Sequence, residues 1–443
     1  MIGKGCQMSH RIGSRLGLAS ALAATLVVVG CGTTGPGTAA GGTESATAWI
    51  LTGSTEAAFR SSFDAWNKAH PNEQIKVQAF ENNAYKEKVR TAVGANQAPT
   101  LIFGWAGGVL QSYVDAGAVD DLTSSVDTTV TGRFLPSVTA VGRLSGKLYA
   151  LPNNGIKPAM IYYNKDLFQA IGAQPPATWD DLLALVPRFL AKGIAPISVS
   201  GQDKWPLLMW EEYLVDRIGG PEVVQRILKN QPNAWSDPAV VQANTMIQQL
   251  VNAGGFVKGF SSISTQSGAD LALLYTGKAA MNLNFPTAYQ TIKSADAGFI
   301  SANKLGYLAF PAVTGGTGDV KDVVGNPSNY WSVSAKASAG QKKIALDYLR
   351  SGLATDGYSD ALLNVGLVPP VTNVQGKLDA SADAKFLDTV YQTTQQAPNF
   401  QLSWDQAMTP AQGDAVLTNL VQVFIGQITP KQFSDNMNKT LGA

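Results

Sequence analysis

Cysteine is almost missing from this chain. Its 443 residues carry two, Cys6 and Cys31, both within the first 31 positions. No disulfide framework is available beyond that point, so stability must come from core packing. Histidine is as scarce, with His10 near the start and His70 beside Pro71. A Ser–His or Cys–His nucleophile system therefore has almost nothing to draw on, and His70 sits at a helix end. No HExxH, GxSxG or P-loop motif occurs,. Charged residues make up 15% of the chain, the net charge is +1 and no basic run is present, which argues against a nucleic-acid partner,. The length supports one or two sizeable cores, at roughly 100–200 residues per domain.

The one apolar run near the start is short. Lys4, Arg11 and Arg15 precede Leu16 to Val29, about 14 residues, too few for a membrane span but enough for the apolar part of a secretory leader,. It ends Val28-Val29-Gly30-Cys31. That wording resembles a bacterial lipobox, which implies acylation of Cys31 as a new N-terminus, with residues 1–31 as a lipoprotein signal peptide. Residues 32–45, GTTGPGTAAGGTES, have no apolar periodicity and read as a flexible tether,. The glycines there follow no strand and make no nucleotide loop.

From Ala46 the pattern is strand and helix in turn. ATAWILT is a strand, and the turn Gly53-Ser54-Thr55-Glu56 offers hydroxyls to cap a helix that carries Phe59, Phe63 and Trp66 on one face,. QIKVQAF is a second strand ending at Glu81-Asn82-Asn83, before a helix from about Ala84 to Val93. Pro99 to Phe103 is a third, ending in Gly104-Trp105-Ala106-Gly107-Gly108. Strands alternating with helices predict an α/β lobe with a largely parallel sheet. In such sheets ligands sit beyond the carboxyl ends of the strands, which singles out these three loops.

The chain then runs GKLYALPNNGIKPAMIYYNKDLF, Gly146 to Phe168: a short strand, a polar kink at Asn153-Asn154-Gly155, a second strand and a helix start,. It reads as a crossover between two lobes. Further crossovers are expected at KLGYLAFPAV, Lys304 to Val313, and at GLVPPV, Gly366 to Val371. The wording GKLYALP…YYNKDLF, followed by GKAAM at 277–281, resembles the extracellular solute-binding proteins of ABC importers, in their carbohydrate-binding, maltose-binding-protein-like branch. That resemblance implies an α/β, two-lobed periplasmic-binding-protein-like fold with discontinuous lobes joined by crossover hinge segments. Lobe I is expected at 46–150 and 312–365, and lobe II at 154–306 and 370–443. It also implies no enzyme activity, no cofactor and no metal. The expected ligand is a di- or oligosaccharide, a xylobiose-like β-disaccharide on general similarity, and the partner is the transmembrane permease. The protein is expected as a monomer anchored by lipid at the outer face of the membrane.

Sugar recognition asks for flat apolar faces and for groups that both donate and accept. Nine Trp are present, most of them expected in the core. Trp105, among glycines after a strand, Trp205 between Lys204 and Pro206, Trp331 after Asn329-Tyr330, and Trp404 in a polar loop are the stacking candidates. Phe285 stands where the family often has a Trp-bearing loop. Asn82, Asn83, Asn153 and Asn154 are amide candidates, although Asx turns would explain them equally. Ser54, Glu56 and Asp405 complete the expected ligand-binding set, and Lys157 reads as a charge at the cleft edge. Two other functions remain open from residues alone. One is a surface-anchored glycoside hydrolase, because any two carboxylates can meet in three dimensions. The other is a sugar sensor or adhesin that does not transport.

Overall fold

Every second side chain of strand β1 (Ala46–Leu51) is buried, as strict alternation requires of a strand packed against helices,. The computed structural model describes residues 44–442, so Cys31 and nearly all of the 32–45 tether lie outside it. β1 pairs in parallel with β2 (Ile75–Phe80) from Ala46 opposite Ile75 to Leu51 opposite Phe80, and with β3 (Leu101–Gly104) on its other side. Between β1 and β2, helix α1 (Glu56–Ala69) buries Phe59, Phe63 and Trp66 on the face that their spacing predicts. The Thr55 hydroxyl makes no cap bond to it.

Helix α2 (Asn82–Gly94) starts two residues after β2 ends. Its cap is Glu81, whose Oε2 accepts from the backbone N–H groups of Asn83 and Ala84 at 2.9 and 3.1 Å,. Asn82 and Asn83 therefore form the first turn of a helix rather than a loop. α3 (Gly107–Asp115) follows β3. Two strands from later in the chain complete this five-stranded sheet: Tyr330–Val333 pairs antiparallel with β3, and Leu151–Pro152 pairs antiparallel with Tyr330–Val333 and so runs in the direction of β1 to β3. Of the five strands only Tyr330–Val333 runs against the largely parallel pattern expected from sequence.

The second lobe is built on a four-stranded sheet in the order Leu305–Leu308, Met160–Asn164, Ala279–Asn284, Ala195–Ser198. Its central helix, Trp205–Gly219, is buried all round from Pro206 to Arg217. A helix buried on every side is normally apolar. This one carries Glu211, Glu212, Asp216 and Arg217, each no more than 1% exposed. Capping boxes start two helices elsewhere in the chain, at Thr178–Asp181 and Ser338–Gln341,.

Between the two sheets lies a third, of three short strands: Phe400–Leu402, Val323–Asn326 and Lys157–Pro158. The chain runs through it twice in passing between the main sheets, by Lys157–Pro158 and by Val323–Asn326. The crossing near residue 368 is tied to the first of these by a bridge from Ile156 to Val368. The return to lobe I comes later than the sequence suggests. Residues 312–322 stay with lobe II: Ala312 bridges Thr178, and Arg217 donates to the carbonyls of Asp319, Val320 and Asp322. Lobe I resumes only at Tyr330.

Candidate functional site

The carboxyl ends of β1 and β3 and the first turn of α2 open onto a cavity of about 770 Å³ between the lobes, within the size range of small-molecule sites. Lobe I contributes Leu51 to Thr55, Asn82, Lys86 and Trp105. Lobe II contributes Trp205, Thr265 to Gly268, Asn284, Phe285 and the helix face of Thr287, Gln290, Thr291 and Ser294. The floor is made where the chain crosses, by Asn154, Lys157, Asn326 and Asn329, with Ser403, Asp405 and Gln406 at one side.

Of the residues expected at a site, this cavity gathers Ser54, Asn82, Trp105, Asn154, Trp205, Phe285 and Asp405. Trp205 and Phe285 form one unit, their rings parallel within 9° at 5.3 Å between centroids. Trp205 is only partly buried and offers the more accessible ring. Trp105 is 5% exposed, covered by Tyr85 and Phe103, so its neighbours do bury it. The glycines beside it do not make room for a ligand either. A Cβ at Gly108 would lie 2.1 Å from the Met408 carbonyl oxygen, and one at Gly107 2.7 Å from that of Gln406. Here the backbones of the two lobes touch.

The remaining candidates lie elsewhere. Trp331 is fully buried in the lobe I core among Phe59, Phe63 and Phe103, because both faces of its strand are covered. Trp404 is fully buried in lobe II against Trp235. Glu56 is held by Arg60 one turn along its own helix, at 2.7 Å, and does not line the cavity. Asn153 is 1% exposed beneath the floor, where its carbonyl accepts from the Tyr358 hydroxyl. Asn83 faces an adjoining groove and donates to Asp203 Oδ1 at 3.2 Å. Asn154 is at the floor, but its side chain is engaged by Asn329 and by the backbone N–H of Gly155.

Several wall residues were not singled out from sequence. Gln290, Asn326 and Gln406 each carry a buried side-chain oxygen with no hydrogen-bond donor. Buried acceptors without partners are costly. The amide-for-hydroxyl argument applied to Asn153 fits them equally, but nothing local marks them. Among the described residues Asp405 is the only Asp or Glu on the cavity wall, and it pairs with Lys86 at 2.9 Å. Among the described residues no cluster of His, Cys, Asp or Glu could hold a metal ion.

Lys157 is not at the edge. It is 9% exposed on the cavity floor, and its Nζ donates to Asn329 Oδ1 at 2.6 Å. Burial pulls its ammonium from the usual 10.5 down to about 7,. The unfolded chain then holds this proton more tightly between those two values. The contribution of Lys157 to stability rises as pH climbs from 7 toward 10.5, and is lost as pH falls through 7,. Denaturant titrations between about pH 7.5 and 9.5 should show stability rising by up to about 1.4 kcal/mol per pH unit, and Lys157→Met should flatten that slope. An equal slope in the variant would assign it to other groups. Buried tyrosines such as Tyr330 and Tyr348, whose phenols are pushed up by burial, act with the opposite sign only near and above pH 10.

A two-lobed α/β fold with a polar, aromatic-walled cavity between lobes linked by crossing strands defines a binding protein that holds a small solute. The chain belongs to the bacterial extracellular solute-binding proteins, whose family model matches residues 51–358. Among curated relatives, the multiple sugar-binding protein of Streptococcus mutans is 27% identical over 49% of this chain and 51% of its own length. An uncharacterized ABC transporter extracellular-binding protein of Pyrococcus horikoshii is 23% identical over 53% of each. The chain thus spans about half the length of the curated relatives it matches. Solved structures align over far more. One, from work on xylan utilization by Caldanaerobius polysaccharolyticus, is 27% identical with a TM-score of 0.81, covering 90% of this chain and all of that one. A chitin oligosaccharide binding protein shares the fold at 23% identity and a TM-score of 0.80, over 90% of this chain and 98% of its own.

Proposed function

We propose that this chain is the substrate-binding component of an ABC sugar importer. It captures a di- or oligosaccharide between its lobes and delivers it to the transmembrane permease subunits. The observation that carries this reading is the cavity itself: a stacked Trp205–Phe285 pair beside amides and hydroxyls, with unpartnered acceptors on Gln290, Asn326 and Gln406. Aromatic faces suit the C–H faces of sugars, and amides suit their hydroxyls. The sugar-binding relatives support the same class, and the family is extracellular. Acylation at Cys31, with residues 32–45 as tether, would keep such a protein, a monomer in this reading, at the outer face of the cell membrane. Among the described residues no helix is long and apolar enough to cross a membrane.

The reading is non-catalytic. Glycoside hydrolysis uses two carboxyl groups flanking the bond, and among the described residues the cavity wall offers Asp405 alone, paired with Lys86. His70 is stacked on Trp66 in lobe I and does not line the cavity.

Thermal-shift measurement against a sugar panel tests the proposal, with β-linked xylo-oligosaccharides first. A ligand at about 100 times its Kd stabilises the folded form by about 2.7 kcal/mol, which should raise Tm by several degrees. A panel that moves Tm for no mono-, di- or oligosaccharide would overturn the reading.

A further inference from the structure

The space between the lobes has two parts. Beside the cavity lies a groove of about 680 Å³ between α2 and α3 on one side and the helix Pro410–Phe424 on the other. Its walls combine Val89, Val93, Val109, Tyr113 and Leu417 with charged groups, among them Arg90 and Asp414, which pair across the lobes at 2.9 Å. Cavity and groove share five wall residues: Lys86, Trp105, Trp205, Asp405 and Gln406. Lys86 reaches from lobe I to Asp405 at 2.9 Å, and its Nζ also lies 5.2 Å from the centroid of the Trp105 ring. The carboxylate end is well shielded, its side chain 5% exposed against 30% for Lys86. Removal from water strengthens such a pair relative to an exposed one. Gln406 belongs to the same partition, its side-chain oxygen buried and without a partner.

We propose that the Lys86–Asp405 pair is an end wall that sets how long a ligand the cavity accepts. This rests on the sugar-binding reading above and adds to it the length of the chain. A saccharide lying along the Trp205–Phe285 platform runs into the ion pair. Beyond the wall the groove could take further sugar rings against Val89, Val93 and Leu417, but the pair closes the way. The wall discriminates by exclusion, since chains that extend past it must break the pair and leave Asp405 buried without its cation.

The test offers purified protein mixed ladders of xylo-, cello-, chito- and malto-oligosaccharides and identifies the retained members by mass spectrometry. Wild type should retain only short members of a ladder. Lys86→Ala joins cavity and groove, and Lys86→Ala/Asp405→Ser does so without a stranded carboxylate, should the single variant fold poorly. Circular dichroism checks both. In a folded variant the ratio of long-chain to short-chain affinity should rise at least about tenfold. An unchanged length distribution in a folded double variant would overturn the end wall while leaving sugar binding intact. Retention of nothing by either protein would overturn the sugar-binding reading, and the wall with it.

Discussion

Arg217→Ala should lower the stability of this protein by about 3–5 kcal/mol, the usual result of breaking a buried ion pair from one side. Arg217 is 1% exposed. Its Nη1 contacts Asp216 Oδ1 at 2.6 Å and the Asp319 carbonyl at 3.0 Å, while Nη2 donates to the carbonyls of Val320 and Asp322 at 3.1 and 3.0 Å. Alanine would strand all four acceptors. Burial already pushes the Asp216 carboxyl up to about 7 against the pull of Arg217, so that carboxyl would take up a proton at neutral pH once the cation is gone. Arg217→Lys should recover little, because a single ammonium does not reproduce the fork that binds three carbonyls. Urea unfolding followed by circular dichroism measures both, and a loss below about 1 kcal/mol for Arg217→Ala would show that water satisfies the stranded groups.

The same residue shows why part of the fold was hidden in the sequence. Residues 312–322 include Thr314-Gly315-Gly316-Thr317-Gly318, which reads as an unattached loop. What fixes the segment is a guanidinium 102 positions earlier. Two of its glycines lie flat on that helix: a Cβ at Gly316 or Gly318 would fall 2.0 or 1.9 Å from the carbonyl oxygens of Arg217 and Asp216. No local pattern records such a contact. Trp331 was misplaced for a related reason. Its strand is buried on both faces, so alternation gives no hint of which side meets the cavity. Lys157 reads as an edge charge because lysine is almost never fully buried unless paired, and its partner Asn329 lies 172 positions away. What was legible followed from rules tied to strand ends. The carboxyl-end rule singles out three loops, whose Ser54, Asn82 and Trp105 line the cavity while Glu56 and Asn83 do not,. Motif order correctly indicated two lobes.

Trp205→Ala should weaken saccharide binding at least about tenfold while leaving the fold in place. Trp205 opens its helix, follows Lys204 at a positive φ of 61°, and leans on Phe285 rather than plugging the core. Truncation therefore removes a platform with little cavity penalty. An interface tryptophan at a hot spot commonly contributes about 2 kcal/mol or more, and 1.4 kcal/mol is already about tenfold. Trp105→Ala is expected to mix lost binding with lost packing against Tyr85 and Phe103. Calorimetry with the sugar that gives the largest thermal shift, paired with circular dichroism, reads Trp205→Ala directly. Wild-type affinity in a folded variant would remove the stacked pair from the site.

The strand pairings also set the order in which the chain can fold. The sheet of the first lobe is complete only when residues 330–333 pair with β3, and the three-stranded sheet only when residues 400–402 reach Val323–Asn326. Neither of these two sheets can be finished from an N-terminal fragment, and such long-range pairings form slowly,. During synthesis most of the chain must therefore emerge before either sheet closes. A polypeptide that remains open so long is in the state in which it could be threaded across a membrane before it folds.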